Sequence, residues 1–253
     1  MISTLDNEQK FDILIPIGPN DISQLVDQMI EHTKKNVIGY RNIYIVAYDP
    51  NINYEGCITI NENIFPFNKE TVSDITGPTK RLGWYLQQLI KLYAGFIIPD
   101  ILNTYLVIDV DTIFLKPTHF FNSDGKPLYN IGNEYHPAYF NHMYYMLPSL
   151  TKVTQPSGIC HHMIFQKHII KEMFEKIETH NNGEPFYHVF LKVLEPYHYT
   201  GAGASEYETY FSYLHIYHSD EFVIRPLKWK NSNVLLQFED DYDYISYHWY
   251  NVN

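Results

Sequence analysis

The sequence predicts an α/β fold in which a mainly parallel sheet is flanked by helices. Apolar, β-favouring runs alternate with segments that place apolar residues at helical spacing, and this alternation starts near residue 11 and continues to about residue 117. No Pro-rich or Gly/Ser-rich linker separates regions of different composition within the 253 residues. We therefore expect a single domain over 1–253, with one half at about 11–117 and the other at about 118–253.

The first half supplies three strands and two helices. The run "FDILIPIG" (11–18) predicts a strand that Pro and Gly close, and "PNDISQLVDQMIEHTKK" (19–35) has the apolar spacing of a helix. A second strand is predicted at "NIYIVAYD" (42–49), and a second helix within "TKRLGWYLQQLIKLYAGFII" (79–98). The third strand, "TYLVIDVDTIFLK" (104–116), is interrupted by two aspartates. Ligands of such sheets bind beyond the carboxyl ends of the strands.

The second half is less regular. Its pattern predicts three helices and two short strands. The helices fall at "MIFQKHIIKEMFEKIETH" (163–180), "PFYHVFLKVL" (185–194) and "SEYETYFSYLHIYH" (205–218), and the strands near "EFVIRPLKW" (221–229) and "NVLLQFED" (233–240).

Several histidines and aromatic residues in this half invite a functional interpretation. His161, His162 and His168 are expected at or near a helix start, and their spacing does not match a tetrahedral metal site. We interpret them as hydrogen-bonded surface or core histidines, with a polar helix entry that contacts an acceptor as the alternative. Residues 133–149, rich in Tyr, His and Pro, are expected to form an ordered loop. The 23 tyrosines suit surfaces that stack on sugar rings or nucleobases, although they suit a protein core equally well.

Composition excludes some classes of function. A formal net charge of -11 argues against binding nucleic acid, which draws its affinity from clustered Lys and Arg. Only two cysteines occur, Cys57 and Cys160, which is too few for a disulfide framework, and we expect them to be buried thiols. The first residues are polar and no run of about 18 apolar residues occurs, so neither a signal peptide nor a spanning helix is expected. These features predict a soluble, cytoplasmic protein.

Asp109 and Asp111 stand where a strand leaves the predicted core, at the edge where such sheets bind ligands. Two carboxylates in a nearly apolar setting repel one another, and a divalent cation resolves that conflict. Hard oxygen ligands suit Mn²⁺ or Mg²⁺, which can also hold the oxygens of a diphosphate. The alternative from these residues alone is a strand-end turn with solvated aspartates.

The pattern of these motifs resembles the GT-A glycosyltransferases, which use nucleotide-diphospho-sugars. A D-x-D at the end of an internal strand follows two strand–helix units, and "RLGWYLQQLIKLYAG" is similar to the W-Y-x-Q-Q-x-x-K helix of a group of bacterial and viral glycosyltransferases. Later blocks, "PSGICHHMIFQK" and "GASEYETYFSY", resemble the same group. The resemblance implies a Rossmann-like GT-A domain with a nucleotide-binding half at about 11–117 and an acceptor-side half at about 118–253. It implies a metal-dependent transferase with a nucleotide-sugar donor, a UDP-sugar by preference.

The resemblance also implies roles for particular residues. The nucleotide pocket would be lined by the end of the first strand and by the start of the 79–98 helix, with Asp109 at the ribose or the metal. The implied set is Ile15, Pro16, Lys80, Arg81, Tyr85, Gln88, Asp109 and Val110.

The metal would be held by Asp109 and Asp111, and a histidine from the C-terminal region would join them. His248 is assigned to that role, with His215 and His218 as competitors. The metal would stabilise charge on the departing nucleoside diphosphate as a Lewis acid.

An inverting transferase also needs a base for the acceptor hydroxyl, and the block "GAGASEYETY" favours Glu206. The alternative for this stretch is a capping box in which Ser205 and Glu208 close the helix start, and both interpretations hold together if Glu208 caps while Glu206 catalyses. A retaining enzyme would not need this base. Asp109 is the other catalytic candidate.

Two other functions compete with the transferase. A haloacid-dehalogenase-like phosphatase would use Asp109 as nucleophile and Asp111 as acid/base, but its motif normally ends the first strand of the fold and no lysine is clearly placed for the phosphate. A non-catalytic sugar-binding or scaffold protein would explain the aromatic residues but not the aspartates. The acceptor can be a glycan, a protein or a small molecule, and the sequence identifies neither it nor the oligomeric state.

Overall fold

A computed structural model describes residues 9–21, 23–238 and 241–247. The main sheet contains five strands: β1 (Phe11–Ile17), β3 (Tyr40–Ala47), β4 (Ile58–Asn61), β5 (Thr104–Ile108) and β9 (His162–Gln166). Their order across the sheet is β4-β3-β1-β5-β9. The first four strands run parallel, and β9 is antiparallel to β5. The predicted α/β fold with a mainly parallel sheet is confirmed.

Helices flank this sheet. They are α1 (Ser23–Asn36), α2 (Lys69–Thr76), α3 (Leu82–Ile97), α4 (Pro137–Met146), α5 (Lys167–His180), α6 (Phe186–Lys192) and α7 (Glu206–Tyr217). Helix α3 packs on β1 and β5 and against α7. The start of α3 and the start of α7 thereby come to the edge of the sheet where β5 ends.

Short strands form three smaller pairings beside the main sheet. They are β2 (Val37–Ile38), β6 (Thr112–Phe114), β7 (Thr118–His119), β8 (Leu128–Tyr129), β10 (Val223–Ile224), β11 (Trp229–Ser232) and β12 (Tyr244–Tyr247). Strand β6 joins a three-stranded sheet in the order β11-β12-β6, while β2 pairs with β7 and β8 with β10. The chain therefore leaves the main sheet at the aspartate pair.

The apolar run that predicts β1 is explained by its complete burial between parallel neighbours. Asp12 is the exception within it, and this carboxylate is buried with partners on two segments. Arg41 donates to Asp12 through two nitrogens, at 3.0 and 2.7 Å, and the backbone N–H of Leu102 donates to it at 2.8 Å. One hydrophobic cluster extends from β1 to β12 and includes residues of both predicted halves.

Three predictions for the second half are wrong in detail. The stretch "MIFQ" belongs to strand β9 and not to a helix, because it pairs with β5 and is buried there. Helix α5 begins only at Lys167. The predicted loop at 133–149 contains α4, which begins with a proline at its first turn. Residues 233–238 form no strand.

The structure adds elements that the sequence pattern does not predict, among them α2, β4 and β12. Cys160 is buried as expected and Cys57 is half-buried, and both are free thiols. Among the described residues, no helix combines the length and the apolar character that crossing a bilayer requires.

Candidate metal centre

Asp109 and Asp111 lie in a tight turn between β5 and β6. The Thr112 N–H donates to the Asp109 carbonyl at 3.0 Å, which closes the turn. The antiparallel register pairs Ile108 with His162, and the ladder continues one step further because the Asp109 N–H donates to the His161 carbonyl at 2.9 Å. Sheet register therefore places His161 directly opposite Asp109.

Asp109, Asp111 and His161 each offer a ligand atom, and these atoms all lie within 4.8 Å of one another. His161 Nδ1 lies 3.4 Å from Asp109 Oδ2. His161 is buried and adopts a φ of 64°, in the left-handed region that costs free energy for a residue other than glycine. Such strain persists only where the surrounding structure holds the residue, so the imidazole is fixed beside the aspartates.

Lys91 connects this group to α7. Its Nζ donates to Asp109 Oδ1 at 2.6 Å and to Glu206 Oε1 at 2.6 Å, and the lysine side chain is 3% exposed. The Tyr207 hydroxyl also donates to Asp109 Oδ1, at 2.7 Å, and the Lys91 ammonium lies 4.6 Å from the centre of the Tyr207 ring. Asp109 Oδ1 is thus engaged by the protein, while Oδ2 is the oxygen that faces His161.

The pKa values of the group follow from these contacts. Burial alone would raise the pKa of Asp109, but Lys91 and His161 hold it well below its usual range. The pKa of Lys91 is raised by Asp109 and Glu206 against the opposing effect of burial. Glu206 has a raised pKa, chiefly because it is buried, although Lys91 opposes the shift. Asp109 is therefore ionised at neutral pH and Lys91 carries its charge.

Helix α3 presents a stripe of polar side chains to this site. Tyr85, Gln88 and Lys91 are spaced three residues apart, so they lie along one side of the helix. The Tyr85 hydroxyl donates to the His198 carbonyl at 2.8 Å, Gln88 Oε1 accepts from the Glu206 N–H at 3.0 Å, and Lys91 makes the ion pairs described above. The stripe sets the position of the chain that leads into α7.

Asp111 is held from the other side by β12. Ser246 Oγ donates to Asp111 Oδ1 at 3.1 Å, and the Tyr247 N–H donates to the Asp111 carbonyl at 2.8 Å. His248, the metal ligand predicted from the sequence, follows Tyr247 but lies outside the described residues. His215 and His218, its competitors, lie at the end of α7, where His218 Nδ1 contacts Glu221 at 2.8 Å.

The predicted nucleotide contacts occupy three places. Ile15 and Pro16 are buried in β1, the neighbour of β5. Val110 is half-buried between the two aspartates. At the start of α3, Lys80 is exposed, whereas the Arg81 guanidinium lies 5.1 Å from the centre of the Trp84 ring.

Tyr85 and Gln88, the remaining predicted contacts, are buried and hydrogen-bonded within the protein. The structure thus brings Gln88, Asp109, Asp111 and Glu206 together and leaves Lys80 on the surface.

Glu206 and Glu208 have separate environments at the start of α7. Ser205 caps the helix as predicted, since its hydroxyl accepts from the Glu208 N–H at 3.2 Å. The Glu208 carboxylate does not complete a capping box. It accepts instead from Lys152 and from the Ser157 hydroxyl, at 2.6 Å each.

Asp21, which follows β1, adds a carboxylate near the aspartate pair. Its Oδ2 accepts from the Gly18 N–H at 2.6 Å. Its pKa is raised to about 6, first by desolvation in the loop and then by the negative charges of Asp111 and Asp109, while the Gly18 contact opposes the shift. Solvent reaches this side chain, so the interactions are screened, but they place Asp21 at the rim of the site.

Sequence reasoning missed His161, Lys91, Tyr207 and Asp21. His161 was assigned to a helix start, and only the strand at 162–166 reveals that it faces Asp109. Lys91 had a visible signal, because it lies on the same side of the helix as Gln88. A charged side chain that a helix buries requires a buried partner.

The comparisons with known proteins identify the family of the chain but do not assign an activity to it. A family model described as "Family of unknown function (DUF6492)" matches residues 47–249, and the chain belongs to this family. A search of curated proteins finds no match. The matched segment includes Lys91, Asp109, Asp111, His161 and Glu206 but not β1.

Proposed function

We propose that the protein is a metal-dependent glycosyltransferase that moves a sugar from a nucleotide-diphospho-sugar, by preference a UDP-sugar, to an acceptor hydroxyl. The observation that carries the proposal is the convergence of Asp109, Asp111 and His161 within 4.8 Å at the carboxyl end of a parallel strand. Ligands of parallel α/β sheets bind at this edge. The motif resemblance to GT-A enzymes supports the same activity and supplies the class of donor.

The donor set fits a divalent cation. Two carboxylates suit Mg²⁺ or Mn²⁺, and the imidazole favours the transition metal of the two, Mn²⁺. Asp109 and Asp111 would hold the ion together with His161, and the open positions would take the donor diphosphate. When bound, the cation would offset the charge that develops on the nucleoside diphosphate as the sugar departs.

The chain's own residues would do the remaining work. Lys91 keeps Asp109 ionised and oriented through the 2.6 Å contact, and Tyr207 fixes the same oxygen. Glu206 remains the predicted base for an inverting reaction. Lys91 engages its Oε1, which leaves Oε2 as the oxygen that could take the acceptor proton. The raised pKa of Glu206 favours proton acceptance by this carboxylate.

Release of nucleoside diphosphate from a panel of nucleotide sugars, with Mn²⁺, with Mg²⁺ and with EDTA, tests the proposal. Many transferases pass the sugar slowly to water, so the assay needs no known acceptor. We expect metal-dependent release from one donor and loss of that release in Asp111→Asn. Asp74, an exposed aspartate on α2, provides the matched control Asp74→Asn. Equal release in both variants, or none from any donor, contradicts the proposal.

One contact favours the phosphatase as a second candidate. Lys91 lies 2.6 Å from Asp109, and a lysine beside the aspartate pair is the element that the sequence pattern lacked for that function. The strand order opposes it, because the pair follows β5, the fourth strand of the main sheet in chain order, whereas the phosphatase motif normally ends the first strand. Hydrolysis of an aryl phosphate by the wild type but not by Asp109→Asn, without release from any nucleotide sugar, would select the phosphatase.

A further inference from the structure

An aromatic surface lies beside the candidate metal centre and takes no part in it. Two chain segments contribute to it, the start of α4 and the turn before α7. The rings of His136 and Tyr139 are stacked with centres 4.4 Å apart, and His136 lies edge-on to His198 at 6.4 Å. Tyr197 contacts His198 at 5.2 Å. Tyr135 precedes His136 in the chain, and its ring lies edge-on to Phe140 with centres 4.9 Å apart. We call Tyr135, His136, Tyr139, Tyr197 and His198 the aromatic shelf.

The shelf presents rings to solvent. Tyr135 is 70% exposed and Tyr197 is 88% exposed. Exposed aromatic rings are unusual where they cluster, because each leaves apolar area in water. The shelf also contains an unused polar atom, since His136 Nδ1 is buried and has no hydrogen-bond partner in the described part of the chain. A buried polar atom without a partner calls for a ligand or a water molecule.

Backbone contacts connect the shelf to the metal centre. Gly132 exchanges backbone hydrogen bonds with Ser157 at 2.8 and 3.0 Å, in the segment that leads into His161. Tyr135 follows Gly132 by three residues, which span at most about 11 Å of extended chain. On the other segment, the Tyr85 hydroxyl binds the His198 carbonyl at 2.8 Å. Helix α4, which carries Tyr139, packs against α7, which begins at Glu206. Consistent with this packing, burial, Glu134 and then Glu206 raise the pKa of Tyr139.

The sheet order separates the shelf from the predicted nucleotide contacts on β1. Strands β1 and β9 flank β5 on opposite sides. Ile15 and Pro16 belong to β1, whereas the shelf segment leaves from the His161 side, next to β9. A ligand on the shelf would therefore approach the metal centre from the β9 side, next to the start of α3, where Tyr85 contacts His198.

We propose that the aromatic shelf binds the acceptor, and that the acceptor is a neutral carbohydrate whose ring faces stack on Tyr135 and Tyr197. This inference rests on the proposed transferase function. Flat rings with polar edges suit the apolar face and the hydroxyl rim of a sugar, and the two most exposed shelf residues carry no charge. A hydroxyl of the same carbohydrate would then reach the side of the centre where Glu206 lies.

Saturation-transfer NMR and calorimetric titration with methyl glucosides, methyl galactosides, cellobiose, lactose and maltose test the shelf directly. We expect at least one sugar to bind the wild type. Tyr135→Ala and Tyr197→Ala should each weaken that binding roughly twofold to tenfold. Both residues are exposed, so these variants are expected to fold.

The matched control is Tyr144→Ala, which removes a tyrosine that is 50% exposed on the same helix as Tyr139. Five residues separate the two, so they point in different directions around the helix. We expect this control to bind sugar as the wild type does. Equal weakening in the control would show a non-specific contribution of surface tyrosines and would overturn the assignment.

Three other outcomes contradict the proposal. They are binding of no sugar in the panel, unchanged binding in both shelf variants, and loss of nucleoside diphosphate affinity in those variants, which would make the shelf a nucleobase platform. Because these titrations need no turnover, their failure is distinct from failure of the proposed transferase, which donor release measures separately.

Discussion

Two buried lysine–carboxylate clusters stand side by side at the start of α7, and they differ in charge balance. In one, Lys152 neutralises Glu208, and the remaining carboxylate oxygen accepts from Ser157 and from the Gly158 N–H. In the other, a single lysine, Lys91, faces both Asp109 and Glu206. Asp111 adds another carboxylate to this second cluster.

The comparison separates a structural ion pair from a candidate site. Glu208 fixes the 156–158 segment, and its charge and both oxygens are satisfied by the protein. The Lys91 cluster has more carboxylates than lysines, lies where a parallel strand ends and includes an imidazole held at a positive φ. An excess of buried negative charge is costly unless a cation joins it. Of the two clusters, the second is therefore the candidate for a ligand.

Lys152→Met should have the largest effect on stability. Removal of one partner from a buried pair leaves the charge of Glu208 uncompensated, so we expect the free energy of unfolding to fall by about 3–5 kcal/mol. Urea denaturation with and without Mn²⁺ measures the effect. Because Glu208 is not a ligand, the shift in unfolding midpoint on adding Mn²⁺ should equal that of the wild type.

Lys91→Met should also destabilise the protein, but Mn²⁺ should oppose the loss. Without the lysine, Asp109 keeps only the His161 imidazole as a cationic partner among the described residues and Glu206 loses its ion pair, so a divalent ion at the centre would offset the carboxylate charge. Ligand binding to the native state adds about 2.7 kcal/mol at a hundredfold excess over the dissociation constant. We expect a larger Mn²⁺-dependent shift than in the wild type. A shift no larger than that of Lys152→Met would contradict the distinction between the clusters.

Glu206→Gln should reduce sugar transfer by about 100-fold or more if Glu206 is the base, since general bases contribute about 10²–10⁴-fold. Glutamine retains a similar shape and an oxygen for Lys91. Binding of nucleoside diphosphate with Mn²⁺, measured by calorimetry, should persist. Glu175→Gln, an exposed change on α5, is the control. A normal transfer rate would remove Glu206 from the base role, as expected of a retaining enzyme.

His142 should make the protein sensitive to acid independently of both clusters. It is buried on α4 with Nε2 2.7 Å from the Phe190 carbonyl, and burial lowers its pKa to about 4. The unfolded chain then binds the proton more tightly, so stability is fully present above about pH 6.5 and falls as the pH drops towards 4.

We expect His142 to contribute about 2 kcal/mol to the loss of stability between pH 7 and pH 4.5. Urea unfolding at each pH measures the loss of stability for the wild type and for His142→Gln. The difference between the two losses is the contribution of His142. An equal loss in both proteins would show that other groups dominate acid sensitivity.

Ser246→Ala should have the smallest effect. Its hydroxyl donates to Asp111 Oδ1 at 3.1 Å and orients that carboxylate. Loss of a group that orients a ligand weakens metal affinity by about tenfold to a hundredfold, and we expect the lower value for this neutral donor. Ser212→Ala, a buried serine on α7, is the comparison. Unchanged Mn²⁺ affinity in Ser246→Ala would argue against Asp111 as a ligand.

The sequence predicts the first half of the fold well because its signals are local. β1, α1, β3, α3 and β5 each have a clear apolar period, and the aspartate pair follows a buried strand. In the second half, the apolar spacing of a helix is harder to tell from that of a strand. There the short run "MIFQ" directly precedes the amphipathic helix α5. Pairing with β5 decides that "MIFQ" is a strand, and this contact is not visible in the local pattern.

The same ambiguity explains why the sequence pattern does not bring His161 to the candidate site. His161 approaches Asp109 only through the antiparallel register of β5 and β9, so a helix assignment removes it from the site. Lys91 meets Glu206 across 115 residues, and this separation hides the pair from any short motif. The aspartates and Glu206, by contrast, stand in motifs of adjacent residues.

The most direct test of the metal centre is a Mn²⁺ titration followed by electron paramagnetic resonance, in the presence of a nucleoside diphosphate. Wild type, Asp111→Asn, His161→Ala and the control Asp74→Asn are compared. We predict one bound Mn²⁺ in the wild type and in the control, and a loss of affinity of at least about tenfold in the other two variants. Equal Mn²⁺ binding in all four proteins would contradict the assignment of Asp109, Asp111 and His161 as a metal centre.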